Sequence, residues 1–171
     1  MARPLLVNAS ELLRRAGLEK IIQCDVVALD LGLDDERFAP ETQIHVDLRL
    51  ESLTDGIVVS GQLLAPWTGH CRRCLRDLTD TAVSVVDELY QLVVTDDGAF
   101  PIESDQLNLV PMARECVLLD TPSAPLCSDN CRGLCLQCGI DLNEAACACE
   151  APKKPSQWDV LDQLRTELNE K

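Results

Sequence analysis

Residues 44–51 alternate without a break: Ile44, Val46, Leu48 and Leu50 are apolar, while His45, Asp47, Arg49 and Glu51 are polar. Successive side chains on a strand point to opposite faces, so this period of two predicts a strand with one buried face. Asp55 and Gly56 supply turn chemistry, and residues 57–64 predict the antiparallel return. A third strand is predicted over 79–94, through Val83, Val85 and Val86, and 18–33 is apolar enough for another with indistinct ends. Strands that follow one another with no helix between them point to an antiparallel sheet.

The period changes at both flanks. Residues 10–16 predict a short helix with Ser10 as N-cap and Gly17 as its stop. Asp96, Asp97 and Gly98 read as the end of the sheet. Residues 107–119 then predict a helix carrying Leu109, Ala113, Cys116 and Val117, with Pro111 tolerated in its first turn. A closing helix is predicted from Ser156, where Trp158, Leu161, Leu164 and Leu168 form one apolar stripe. Between them, residues 122–154 hold no regular period. Apolar burial alone does not fold such a stretch, so it needs a staple.

Cysteine supplies one. Eight of the ten cysteines fall in pairs: Cys71 with Cys74, Cys127 with Cys131, Cys135 with Cys138, and Cys147 with Cys149. Zinc takes four ligands in a tetrahedron, and two cysteines two or three residues apart place both sulfurs on one ion without strain. Soft thiolates suit zinc or an iron–sulfur cluster. Four pairs make two complete sites, and these combine in three ways. The local combination joins Cys135 and Cys138 to Cys147 and Cys149 across eight intervening residues, with Gly139 allowing a tight knuckle turn. The other site then joins Cys71 and Cys74, in the turn between the second and third strands, to Cys127 and Cys131. Saturated sites favour structural zinc, two ions per chain, because a catalytic zinc keeps a position open. Cys24 and Cys116 read as ordinary core residues.

The predicted fold class is therefore α+β: an antiparallel β-sheet meander with flanking helices and a cysteine-rich, zinc-stapled C-terminal segment. Residues 1–121 would form the sheet domain, with its amino-terminal helix and the helix near 107–119. Residues 122–171 would form the zinc-binding tail and closing helix.

Charge narrows the partners. Fifteen basic against 29 acidic residues leave a net charge of -14, which opposes non-specific binding to nucleic acid or an anionic membrane. A basic partner protein suits it better. The sequence shows no signal-peptide pattern and no apolar run long enough to span a bilayer, so the expected setting is the reducing cytoplasm, where thiols bind metal rather than pair. No phosphate loop or nucleophile signature is present, and no enzyme is expected. His45 reads as solvated on a strand's polar face, and His70 as at most a spare ligand beside Cys71. An acidic tract includes Asp77, Asp80, Asp87, Glu88, Asp96, Asp97, Glu103 and Asp105, with no Lys or Arg between Arg76 and Arg114. It reads as a solvated face or as a landing surface for a basic protein. Arg72, Arg73, Arg76 and Arg132 gather around the first cysteine site, with Lys153 and Lys154 beyond the second. These arginines either offset thiolate charge or touch phosphate.

Cys71-Arg72-Arg73-Cys74-Leu75, then Cys127-x3-Cys131-x-Gly133-Leu134-Cys135-x2-Cys138-Gly139, Asp141-Leu142-Asn143 and Cys147-x-Cys149, together resemble the YceD family of large ribosomal RNA subunit accumulation proteins. The resemblance covers roughly residues 43–164. It implies a bacterial protein linked to large-subunit ribosomal RNA and to ribosome assembly, with no established enzymatic activity and no small-molecule substrate. The expected partner is large-subunit rRNA or a pre-ribosomal particle. The alternative is a chaperone or zinc-holding partner for one basic ribosomal protein.

Overall fold

The computed structural model describes residues 5–149, so the helix predicted from Ser156 and the lysines at 153 and 154 lie outside the described residues. The alternating segment forms β3 (Gln43–Ser52), flanked by β2 (Glu19–Val27) and β4 (Ile57–His70), with β5 (Asp77–Gln91) beyond. These four strands pair antiparallel in chain order. The hairpins are long. β4 and β5 stay in register from Ile57 opposite Tyr90 to His70 opposite Asp77, which carries the β4–β5 turn well past the ends of β2 and β3.

The pattern decides which face is buried. Ile44, Val46, Leu48 and Leu50 of β3 pack with Ile57, Val59, Leu63, Ala65 and Trp67 of β4 and with Ala82, Val86 and Tyr90 of β5. A fully buried aliphatic side chain is worth about 1.5–3 kcal/mol, so this face alone accounts for much of the fold's driving force. A single α-helix among the described residues, α1 (Val110–Asp120), lies against β5 and β4 and buries Met112, Ala113 and Val117. The Ser84 hydroxyl donates to the Cys116 carbonyl at 3.2 Å, satisfying a polar group under the helix. Cys24 and Cys116 are half-buried thiols against this core.

Several elements differ from the sequence expectation. The helix expected over 10–16 is one 3-10 turn, Leu12–Arg14, and Ser10 does not cap it: the Ser10 amide donates to Asn8 Oδ1 instead. So short a segment cannot sustain a cooperative α-helix, and Gly17 enters the left-handed region at φ 81°. The sheet does not end at Gly98. β6 (Phe100–Pro101) returns to pair parallel with the end of β5, and the Phe100 ring stacks on Tyr90 at 5.2 Å. The helix begins at Val110 rather than 107 because β7 (Gln106–Asn108) pairs antiparallel with β1 (Leu6–Asn8). The strand expected over 79–94 is β5, which starts at Asp77 and stops at Gln91, leaving Leu92, Val93 and Val94 exposed beyond it.

One contact sets where the cysteine-rich segment begins. Arg37, bound to Asp35 at 2.7 Å, donates to the carbonyl of buried Thr121 at 2.8 Å, and its own carbonyl accepts from the Thr68 amide at 3.0 Å. The end of α1 is thereby tied beside the far end of β4. The chain then reaches the β4–β5 turn within a few residues.

Gly61 is the position most sensitive to substitution in the sheet. Its φ is 141°, and an added Cβ would lie 2.2 Å from the Asp47 carbonyl oxygen and 3.0 Å from Leu48 Cα, both backbone atoms of β3. Gly61→Ala is expected to destabilise the chain by about 2 kcal/mol or more, from backbone strain and overlap together. Chemical denaturation of the two proteins measures it, and an equal midpoint would contradict the close approach of β4 to β3 at this residue.

Candidate metal centre

Two knuckles of the same construction carry the cysteines. In the first, the Cys71 amide donates to the Arg76 carbonyl at 2.8 Å and the Leu75 amide to the Cys71 carbonyl at 2.9 Å. In the second, the Cys135 amide donates to the Ile140 carbonyl and the Gly139 amide to the Cys135 carbonyl, each at 2.9 Å. The residue after the second cysteine must turn left-handed in both, with φ 60° at Leu75 and 74° at Gly139. Glycine does this at no steric cost, and Leu75 adopts it with an exposed side chain. Such a turn aims both thiols of a C-x2-C pair to one side.

Each knuckle meets a second pair. Cys71, Cys74, Cys127 and Cys131 form one group, and Cys135, Cys138, Cys147 and Cys149 the other, with all sulfurs of a group within 4.8 Å of one another. Sulfur separations include 3.8 Å for Cys71–Cys131, 3.6 Å for Cys74–Cys127 and 3.3 Å for Cys135–Cys147. A tetrahedral ion with bonds of about 2.3 Å spaces its sulfurs by about 3.8 Å, so both groups fit a four-sulfur metal site. All ten cysteines are free thiols. Of the three combinations the sequence allowed, the structure shows the one with a local site and a site crossing from the β4–β5 turn to the tail. His70 is not among the ligand atoms; its Nε2 lies 3.1 Å from Asp77.

The two groups differ in exposure. Cys71, Cys74 and Cys131 are buried in a small cluster with Leu78, Leu126 and Leu134, whereas Cys138 and Cys149 are exposed. Both are electrostatically primed. The amide of Cys74, outweighing burial with help from the amides of Cys127 and Arg73, pulls the Cys71 thiol down to about 6. The amides of Cys138 and Gln137 likewise lower Cys135 to about 6. Within each group the last proton is held hard. The Arg76 amide favours the Cys74 thiolate, but burial and the neighbouring thiols push it up to about 12, and the Cys138 thiol does the same to Cys149. Four like groups sharing one site lose their protons one at a time unless a cation displaces them together.

The arginines divide. Arg73 turns inward, its Nη1 donating to the carbonyls of Asp129 at 3.2 Å and Cys131 at 2.9 Å. Arg76 is held by Glu144 at 3.0 Å and Asp141 at 3.5 Å. Arg72 and Arg132 are exposed, and among the described residues neither side chain makes an ion pair. Gly133 explains how the tail crosses the first knuckle so closely. With φ 73° and the Arg73 carbonyl 3.0 Å from where a Cβ would stand, only glycine fits, and the Leu134 amide bonds that same carbonyl at 3.1 Å. Sequence reasoning assigned no role to Asn143, whose amide nitrogen lies 3.4 Å from Cys131 Sγ. The signal available was its fixed place in the Asp-Leu-Asn stretch between the two pairs of the local site.

A metal and protons would compete for these sulfurs, so metal affinity is expected to fall as pH drops. Cys71 and Cys135, ionised above about 6, become protonated below it, and each added proton must be expelled on binding. Competition against a chelator at pH 8, 7, 6 and 5 should show the steepest loss of metal affinity from pH 6 to pH 5. A flat profile across that range would contradict thiolate ligation.

Comparison with known proteins agrees with the motif. A family model described as large ribosomal RNA subunit accumulation protein YceD matches residues 59–165, from β4 through both cysteine groups. An uncharacterised protein of Mycobacterium tuberculosis is 28% identical over 150 residues, covering 83% of this chain and 72% of its own length. One from Mycobacterium leprae is 26% identical over 147 residues, covering 81% and 68%. The chloroplastic large ribosomal RNA subunit accumulation protein YCED homolog 1 of Arabidopsis thaliana is 31% identical over 72 residues, 42% of this chain and 22% of that one. No solved structure gives a significant match. With more than half its length matched by that model, the chain belongs to the YceD family of large ribosomal RNA subunit accumulation proteins.

Proposed function

We propose that the chain is a non-enzymatic, cytoplasmic factor that supports accumulation of 23S rRNA and assembly of the large ribosomal subunit, with one structural zinc in each cysteine group. The observation that carries this reading is the saturation of both sites. Four sulfurs close a tetrahedron around an ion and leave no position for a reacting water, as structural zinc requires. The link to the large subunit comes with the family. No helix among the described residues is long and apolar enough to cross a membrane.

Contact with RNA would fall to Arg72 and Arg132, since Arg73 and Arg76 are engaged within the chain. A second reading, a chaperone or zinc-holding partner for a basic ribosomal protein, draws on the open face of the sheet. There Asp25, Asp47, Glu51 and Asp87 share a face with exposed Ile21, Val83 and Val85; His45 and Arg49 on that face engage Asp25 and Glu51, which leaves Asp47 and Asp87 for a basic chain.

Tagged full-length protein, freshly purified under reduction, is expected to hold two zinc ions per chain. It should also recover large-subunit rRNA from lysate, with that recovery abolished by ribonuclease. A single basic protein surviving ribonuclease selects the second reading. One ion or none, or iron in place of zinc, overturns the metal assignment.

A further inference from the structure

Between Cys138 and Cys147 the chain forms a loop whose two ends belong to one cysteine group while its middle touches the other. Asn143 is the point of touch. Its side-chain oxygen accepts from the Arg132 amide at 2.7 Å, and that bond decides which way the carboxamide faces. The Nδ2 group is therefore turned to Cys131 Sγ at 3.4 Å and to Asp141 Oδ1 at 2.6 Å. The Asn143 amide also donates to Asp141 Oδ1, at 2.8 Å, so the side chain is braced by its own loop. Two further straps run alongside. The Leu142 amide donates to the Gly133 carbonyl at 2.9 Å, and Arg76, two residues past Cys74, binds Asp141 and Glu144.

Apolar burial contributes little to holding this loop, which rests on its hydrogen bonds, its ion pairs and the cysteines at its ends. Glu144 is exposed, Ile140 is more than a third exposed, Leu142 is only half-buried, and neither of the cysteines at its ends is fully buried. Its ends are fixed where Cys135, Cys138, Cys147 and Cys149 come together, and Asn143 sits between those ends. A hydrogen bond to a metal-bound thiolate disperses ligand charge, and partners of this kind are worth about 10–100-fold in metal affinity.

We propose that Asn143 interlocks the two cysteine groups, so that an ion at Cys135, Cys138, Cys147 and Cys149 prolongs retention of the ion at Cys71, Cys74, Cys127 and Cys131. Asn143 is a positioning residue in this scheme. It binds no metal itself and delivers an N–H to a sulfur that does. In equilibrium affinity the coupling is reciprocal, because a binding free energy that links two sites acts on both, whereas release rates need not be symmetric. The inference rests on both groups being metal sites and adds an order to them. The exposed site is the support on which the buried site's retention depends.

Zinc release from the full-length protein to a chromogenic chelator tests this. Wild type should release two ions in two phases, the exposed site fast and the buried site slow. Asn143→Ala should keep both ions yet release the slow one about tenfold faster. Asn143→Asp, which keeps the oxygen toward Arg132 but loses the N–H, should do the same. Cys149→Ser should lose one ion and release the remaining one at least as fast as Asn143→Ala. Combining Asn143→Ala with Cys149→Ser should add nothing further. A slow phase at the wild-type rate in both Asn143 variants overturns the interlock, as does strict additivity in the double variant. Wild type holding fewer than two ions would be a failure of the metal assignment, visible before any variant is compared.

Discussion

Bringing four sulfur atoms together at the tip of the β4–β5 hairpin is the constraint on which the rest of the carboxy-terminal architecture depends. Beyond Thr121 the described chain has no helix and no strand longer than an isolated bridge. Its apolar contacts at the hairpin tip reduce to Leu126 and Leu134 beside Leu78. That is far too little to offset the cost of ordering more than twenty residues at about 1–2 kcal/mol each for backbone alone. A metal ion in each four-sulfur group would supply stabilisation that apolar burial does not. The long reach of β4 and β5 then has a purpose. It holds Cys71 and Cys74 out from the sheet, where a segment leaving α1 can meet them.

The first cysteine group thus converts the sheet, stable through its own apolar face, into a platform for the tail. The second group does not touch the sheet. It shapes a loop that lies on the tail's own crossing strand, through the bridge of Leu134 with Asp141 and the bond from Leu142 to Gly133. Glycine at 133 matters to both, since it lets one stretch of backbone serve the knuckle on one side and the loop on the other. Exposure grades with this hierarchy, from buried Cys71 to exposed Cys149.

Much of this was legible in the sequence where a period or a count was available. Ile44 to Glu51 announces β3 because one face is buried and the other wet, and the cysteine pairs announce two four-sulfur groups because four pairs leave no remainder. The misses share a cause. β1, β6 and β7 are two or three residues long, too short for any period: β6 adds to the free edge of β5, and β1 and β7 pair only with each other. Ser10 had the chemistry of a cap but not a helix long enough to use it. Arg73 and Arg76 were grouped with Arg72 and Arg132 by position along the chain. Their partners, the carbonyls of Asp129 and Cys131 and the carboxylates of Asp141 and Glu144, are more than fifty residues away and invisible to local reasoning. Asn143 has partners near in sequence, Arg132 and Cys131, but only the folded loop turns its side chain back onto them.

Hydrogen exchange with and without metal tests the central claim most directly. Chelation under reducing conditions is predicted to raise exchange sharply at the amides of Leu134, Cys135 and Leu142, which bond the carbonyls of Arg73, Ile140 and Gly133. The amides of β3 and the middle of β4 should keep their protection. Equal protection of the tail amides before and after chelation would contradict the account, for it would mean that contacts other than sulfur–metal bonds hold the tail to the sheet.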